Sequence, residues 1–241
     1  MPRSRALALH LALAAALAGA AGAAAATWQL DAERSAVAVL THKAGVGARL
    51  AHDQLVLAPL AAVALDFEPE RPQATRLTLV ARADALEIDA PGARQRWGQR
   101  LAELGALGGG GLPAVPEGDR PKVREAMLSR SQLDARGFPE IRAELVALER
   151  RPAPAAAAAG ERDAPGWTAR VRLSVRGKTI EKELAARWRV EAGELTAEAL
   201  GEARFSELGI EPYSTLLGAI RNDDRFHLFV ALAARPAAGT D

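Results

Sequence analysis

Cysteine is absent from this chain. That excludes disulfides, thiol chemistry and a lipoprotein anchor on a cleavage-site cysteine. Aromatic residues make up only 4% of the chain, with a single Tyr. A surplus of one charge is missing too, since 31 Lys and Arg stand against 30 Asp and Glu. Nucleic acid and an anionic membrane are therefore not recommended as partners by the overall balance, because both call for concentrated positive charge. Nucleophile motifs are equally scarce: there is no Gly-x-Ser-x-Gly elbow, and neither Ser35 nor Ser214 has a His or acid at a telling distance. The Gly-rich run from Gly105 to Gly111 lacks the Lys-Ser/Thr that a phosphate loop needs, and reads as a linker.

The first residues are informative in a positive sense. Arg3 and Arg5 form a charged start, Ala6 to Ala18 an apolar stretch broken only by His10, and Ala24 to Ala26 the small residues preferred before a cleavage site. This predicts a secretory signal peptide over residues 1–26 and a periplasmic or secreted mature protein. Losing the two leader arginines would leave the mature chain close to neutral, at about −1. Past the leader, no run approaches the roughly 20 apolar residues of a membrane-spanning helix.

Strand grammar dominates the mature chain. In "WTARVRLSVRG" Trp167, Ala169, Val171, Leu173 and Val175 share one face, while Thr168, Arg170, Arg172, Ser174 and Arg176 share the other. A turn at Gly177 and Lys178 leads into "TIEKELAARWRV", with Ile180, Leu184, Ala186, Trp188 and Val190 on one side, and a turn at Glu191 to Gly193 adds a third strand through Phe205. Further strands are predicted at Ser35–Lys43, Arg49–Leu57, Ala61–Phe67, Ala74–Asp84, over "EIRAELVALE" and over "RFHLFVALAA". Seven to nine strands with one apolar face suit an antiparallel β-barrel, which leaves no long edge, or a two-sheet sandwich. The pattern does not separate the two.

Between about residues 90 and 135 the grammar turns helical. Trp97, Leu101 and Leu104 stand at helical spacing, Val123 and Met127 are four apart, and Pro121 suits a helix start. The stretch "LSRSQLDARGFPEIRAEL" reads as a helix running up to Leu133 and a strand beginning after Pro139. A low-complexity Ala/Pro loop at about 150–166 completes one domain spanning 27–236, and a short tail follows at 237–241.

Three blocks carry a family resemblance. Trp28-x-Leu30-Asp31, Ser35, Val37, Val39, His42 and Gly45 form the first, "LDARGFPEIRAE" the second and "VRLSVRGKTIEKEL" the third. In this order they resemble the YceI family of polyisoprenoid-binding, lipocalin-like periplasmic proteins. The resemblance is to a divergent branch, because "ARLAHDQLVL" stands where the family carries Gly-x-Phe and further aromatics, and Arg34 stands where a His often precedes the Ser. It implies an extended antiparallel barrel of about eight strands, capped at one end by the helical excursion, with an apolar interior that holds an isoprenoid chain.

The expectation is thus a non-catalytic carrier without a cofactor, whose partner is an isoprenoid or other lipid-like ligand. Candidate ligand contacts are Val37, Val39, Leu77, Leu79, Ile141, Leu145, Val171, Leu173, Leu184, Trp188 and Phe226, each inward on its strand. The rival is a metal-dependent enzyme or metal-binding protein built on His42, His52 and Asp53, since two imidazoles and a carboxylate can fill three positions on zinc and leave one for water. No short His-x-x-x-His spacing supports it.

Overall fold

The computed structural model describes residues 26–50, 52–107, 112–151, 166–215, 217 and 219–237. Residues 1–25 of the expected leader, the Ala/Pro segment from Pro152 to Ala164 and all but the first residue of the tail lie outside the described residues.

Among the described residues, twelve strands form one antiparallel sheet. They are β1 (Ala26–Leu30), β2 (Ala36–Ala44), β3 (Gln54–Leu57), β4 (Leu60–Phe67), β5 (Arg76–Arg82), β6 (Glu87–Ile88), β7 (Glu140–Arg150), β8 (Trp167–Val175), β9 (Lys178–Glu191), β10 (Glu194–Arg204), β11 (Ser214–Thr215) and β12 (Ile220–Pro236). Two helices, α1 (Ala93–Glu103) and α2 (Arg120–Leu128), fall between β6 and β7.

The sheet closes on itself. Its order runs β1-β4-β5-β7-β8-β9-β10-β12, and β12 pairs back onto β1 through Trp28 with Pro236 and Leu30 with Ala234. That last pairing decides for the eight-stranded barrel over the sandwich. Beyond it, β12 also pairs with β2, which pairs with β3, which pairs with β6. The first three staves of the barrel are therefore each broken in two: β1 with β2, β3 with β4, and β5 with β6. Pro59, which cannot donate to a ladder, sits at the second break.

The remaining staves are regular hairpins for a local reason. Arg176 and Gly177 both have positive φ, as do Ala192 and Gly193, which is the two-residue turn whose twist matches that of the flanking strands. The first of these turns lies at Arg176-Gly177, one residue earlier than its sequence suggests, because Val175 pairs with Lys178.

The two helices have different jobs. α1 packs Ala93, Trp97 and Leu101 on the outer face of β2, β3 and β12, against Leu40, Leu55 and Phe229. Only α2 lies over the end of the barrel, with Val123 and Met127 against Val56, Leu86, Leu133 and Ile141. Arg124 fixes it by donating from Nη1 to the Leu86 carbonyl at 2.6 Å and from Nη2 to the Asp84 carbonyl. The expectation that the whole excursion caps the barrel is corrected to this extent.

The helix-to-strand passage is also corrected. α2 ends at Leu128 rather than Leu133, and residues 129–137 form a chain of turns. Asp134 takes a positive φ, and its carbonyl accepts from both Gly137 and Phe138. A Cβ on Gly137 would lie 2.8 Å from the Asp134 carboxylate, which would have to turn aside. Phe138 then folds onto the Arg176-Gly177 turn, and β7 begins one residue after Pro139. Two strand expectations shorten as well. Arg49–Leu57 is a strand only over β3, preceded by a single 3-10 turn at Ala48–Leu50, and Ala74–Asp84 only over β5.

Candidate functional site: an apolar barrel interior with one open end

Side chains alternate across each strand, and the two faces of the barrel wall meet different surroundings. On β8 and β9 the outer face is wet, and Arg172 pairs there with Glu181 at 2.8 Å. On β2 and β12 the outer face lies under α1, so both faces are apolar. This is why "AVAVL" and "FVALAA" run on without polar interruption while β8 alternates strictly.

The inner faces enclose a cavity of ≈ 340 Å³. Val37 and Val39 of β2, Leu77 and Leu79 of β5, Ile141 and Leu145 of β7, and Val171 and Leu173 of β8 all line it, together with Leu184 and Phe226. Trp188 does not. It packs instead with Trp28, Leu65, Phe67 and Leu195 at the end of the barrel where β4 stops and β9 turns into β10. There Phe67 and Trp188 meet edge to face at 5.0 Å, Trp28 and Phe67 at 5.8 Å, and the Trp28 indole donates to the Phe67 carbonyl at 2.9 Å. This cluster closes one end.

The opposite end, over which α2 lies, is bordered by polar groups. Thr41, Gln54, Lys122, Gln132, Tyr213 and Asn222 are the polar residues bordering the cavity, and Lys122 is the one charged side chain among them. Thr41 is buried, and its Oγ1 has no hydrogen-bond partner among the described residues. Gln54 is its cross-strand neighbour. A hydroxyl and an amide stand side by side where the apolar interior meets the mouth. Gln132 donates to the Glu211 carbonyl at 3.0 Å and ties the turns after α2 to the segment before β11.

A buried ion pair that sequence patterns do not reveal holds this end together. Asp89, 3% exposed and with positive φ, accepts from the Val115 amide at 2.7 Å and the Leu55 amide at 3.3 Å, and pairs with Arg94 of α1. Arg94 in turn donates to the carbonyls of Leu112 (2.8 Å) and Asp53 (2.9 Å). One carboxylate and one guanidinium thereby satisfy four backbone groups of irregular chain. The only trace in the sequence is an Asp just before Pro91-Gly92 and the start of a helix.

The three residues of the metal alternative do not form a site. His42 Nε2 lies 2.7 Å from His227 Nδ1 on the outer wall of β2 and β12, with the Glu202 carboxylate 3.3 Å from His227 Nε2. Asp53 Oδ1 accepts from the Lys43 amide at 2.8 Å, the ordinary work of a loop carboxylate. Among the described residues, no group of three or more His, Asp or Glu side chains is arranged to hold a metal ion. Burial pushes the His227 pKa below its ordinary value, and the neighbouring His42 adds to this while Glu202 opposes it. The pair shares a hydrogen bond, which requires at least one neutral ring.

No protein-family model matches the sequence, and no curated protein matches it. Solved structures do match in shape. BcnA of Burkholderia cenocepacia superposes with a TM-score of 0.56 over 85% of this chain and 99% of its own, at 10% sequence identity. A Campylobacter jejuni YceI protein that crystallizes with large solvent channels aligns at TM-score 0.48 over 73% of this chain and 81% of its own, again at 10% identity. Likeness at such identity concerns fold. In fold, this chain is an antiparallel β-barrel similar to that of BcnA.

Proposed function

We propose that the protein is a secreted or periplasmic carrier that holds an isoprenoid-like or other amphiphilic lipid in the barrel interior and catalyses nothing. One observation carries the reading: a ≈ 340 Å³ cavity walled by aliphatic side chains, stoppered by aromatics at one end and rimmed by polar groups at the other. Its size falls in the usual range of small-molecule pockets. Affinity would come from removing ligand hydrocarbon from water, at about 25 cal/mol per Å² before ordering costs. The polar end of the ligand would sit by Thr41 and Gln54. Such a one-ended slot suits a chain with one apolar and one polar terminus.

The test is an organic extract of the purified protein examined by mass spectrometry, beside metal analysis of the same sample. The expected result is one lipid with a long apolar chain at near-stoichiometric level. Stoichiometric zinc without lipid would overturn the carrier. The compartment is tested separately by N-terminal sequencing of exported protein, expected to start within a few residues of Thr27.

A further inference from the structure

The aromatic end of the barrel holds a hydrogen-bond imbalance. Of the tryptophans there, Trp28 donates its indole N–H to the Phe67 carbonyl at 2.9 Å. Trp167 and Trp188 do not: the Nε1 of each is buried and has no hydrogen-bond partner among the described residues. Trp167 is 5% exposed, and its ring centroid lies 6.0 Å from that of Trp188, with the planes tilted by 40°. Buried donors are nearly always met, so two neighbouring ones without an acceptor call for an explanation.

Their place in the barrel supplies one. Trp167 packs against Ala169 and Leu184, with Leu145 and Ala199 beside it, and all four of these line the cavity. The two indoles therefore lie one side chain behind the deep end of the cavity. Their cross-strand neighbours carry only methyl groups, since Trp167 pairs with Ala186 and Trp188 with Ala197, and the backbone oxygens around them are engaged in the β8–β9 and β9–β10 ladders. A water accepting from both indoles would find nothing to accept its own hydrogens, which makes a poor water site. An oxygen that only accepts, as in a carbonyl or an ether, has no such deficit. That oxygen must be neutral, because the one charged side chain bordering the cavity, Lys122, is at the opposite end, and a buried anion without a cation is strongly disfavoured. At that opposite end Thr41, also 5% exposed, likewise has a hydroxyl without a partner.

We propose that the ligand carries oxygen at both ends: a polar group held at Thr41 and Gln54, and, on the terminus that enters first, a neutral carbonyl or ether oxygen that accepts from the indole N–H groups of Trp167 and Trp188. This rests on the carrier reading and deepens it. A tail of pure hydrocarbon fills the same space but leaves both donors unmet.

Two probes of equal chain length test it: 1-dodecanol, and 12-hydroxydodecan-2-one, which adds a ketone next to the far end. Each is measured by displacement of the apolar fluorophore N-phenyl-1-naphthylamine from the purified protein and from Trp167→Phe, Trp188→Phe and the double variant. Phenylalanine keeps a ring in place and removes the N–H. The ketone's own hydration is the same in every case, so the ratio of the two dissociation constants isolates the indole contribution. That ratio is expected to move about tenfold in favour of 1-dodecanol in the double variant, and by less in each single one. In the unsubstituted protein, the ketone is expected to shift the indole N–H hydrogen-bond band in ultraviolet resonance Raman spectra, and 1-dodecanol is not. This second measurement needs no substitution, so it decides even where a variant folds poorly.

A ratio unchanged in a double variant that still takes up the fluorophore overturns the acceptor end and leaves the carrier standing. So does a Raman band that reports hydrogen-bonded indoles at Trp167 and Trp188 before any probe is added, because an ordered water then meets the donors. A protein that binds neither the fluorophore nor 1-dodecanol removes the carrier and the acceptor end together.

Discussion

The two ends of the barrel are built by different means. At the closed end, a chain poor in aromatics gathers Trp28, Phe67 and Trp188 into one cluster, and the indole of Trp28 caps a carbonyl. At the open end, broken strands and turns are held by Asp89, Arg94 and Arg124, whose charges bond backbone groups that no ladder satisfies. Regular strands need only side chains to fill the space between them. Irregular chain brings unpaired amides and carbonyls, and these need polar partners when buried. The middle of the barrel uses neither device, and its Val, Leu and Ala side chains leave the axis empty.

Removing one keystone from each end gives the largest effects. Asp89→Ala leaves the Arg94 charge buried without its partner and should cost about 3–5 kcal/mol, with the amides of Leu55 and Val115 losing protection from hydrogen exchange. Phe67→Ala should cost a similar amount, about 3–5 kcal/mol, through lost burial and the void left behind. The two losses should differ in kind: Phe67→Ala lengthens the slot and should admit longer apolar ligands. Equal ligand profiles in the two variants would break the distinction between stopper and frame.

The middle should respond less in stability and more in binding. Leu173 borders the cavity, and Leu173→Arg should cost about 1–3 kcal/mol while abolishing lipid co-purification, because the guanidinium can extend toward the polar mouth. Unfolding on this substitution would mean a filled core. Retention of lipid would mean that the inward face has been misassigned.

Acid should act on the outer wall of β2 and β12. His227 binds its proton less readily in the folded chain than in the unfolded one, so below the ordinary histidine pKa of 6.5 the unfolded chain takes up the proton first. The associated stability is complete above that pH and is lost as the pH falls toward the depressed folded value. Melting temperature is expected to drop by a few degrees between pH 7.5 and 5, and to drop less in His227→Gln. The smallest effect belongs to the wet face of β8, where Arg172→Leu removes an exposed ion pair with Glu181 and should change stability by about 0.5 kcal/mol or less, with lipid content intact.

Strand alternation was legible wherever one face of the wall is wet, as in β8 and β9, and it placed Val171, Leu173 and Leu184 inward. It was blurred where both faces are covered. In β2 and β12 periodicity cannot say which side meets α1 and which the cavity. Trp188 shares its face with Leu184, yet one lines and the other plugs, because the depth of a residue along the axis is set by register and not by parity. His42 and Asp53 looked like companions of His52 because they are near in sequence. Their partners are His227, far along the chain, and the Lys43 backbone.

By itself the sequence determined the elements and their faces: which segments are strands, where the helical excursion interrupts them, and which side of each regular strand is apolar. These arise from local sterics and a period of two, which every window of chain displays. Tertiary structure alone decided the rest. Closure of β12 onto β1 made a barrel of what was equally a sandwich. The hydrogen bond from the Gly47 amide to the Ala219 carbonyl joined the chain after β2 to the chain before β12, and the Asp89–Arg94 pair framed a mouth. Each of these depends on residues distant in sequence being brought together, and no local pattern records that distance.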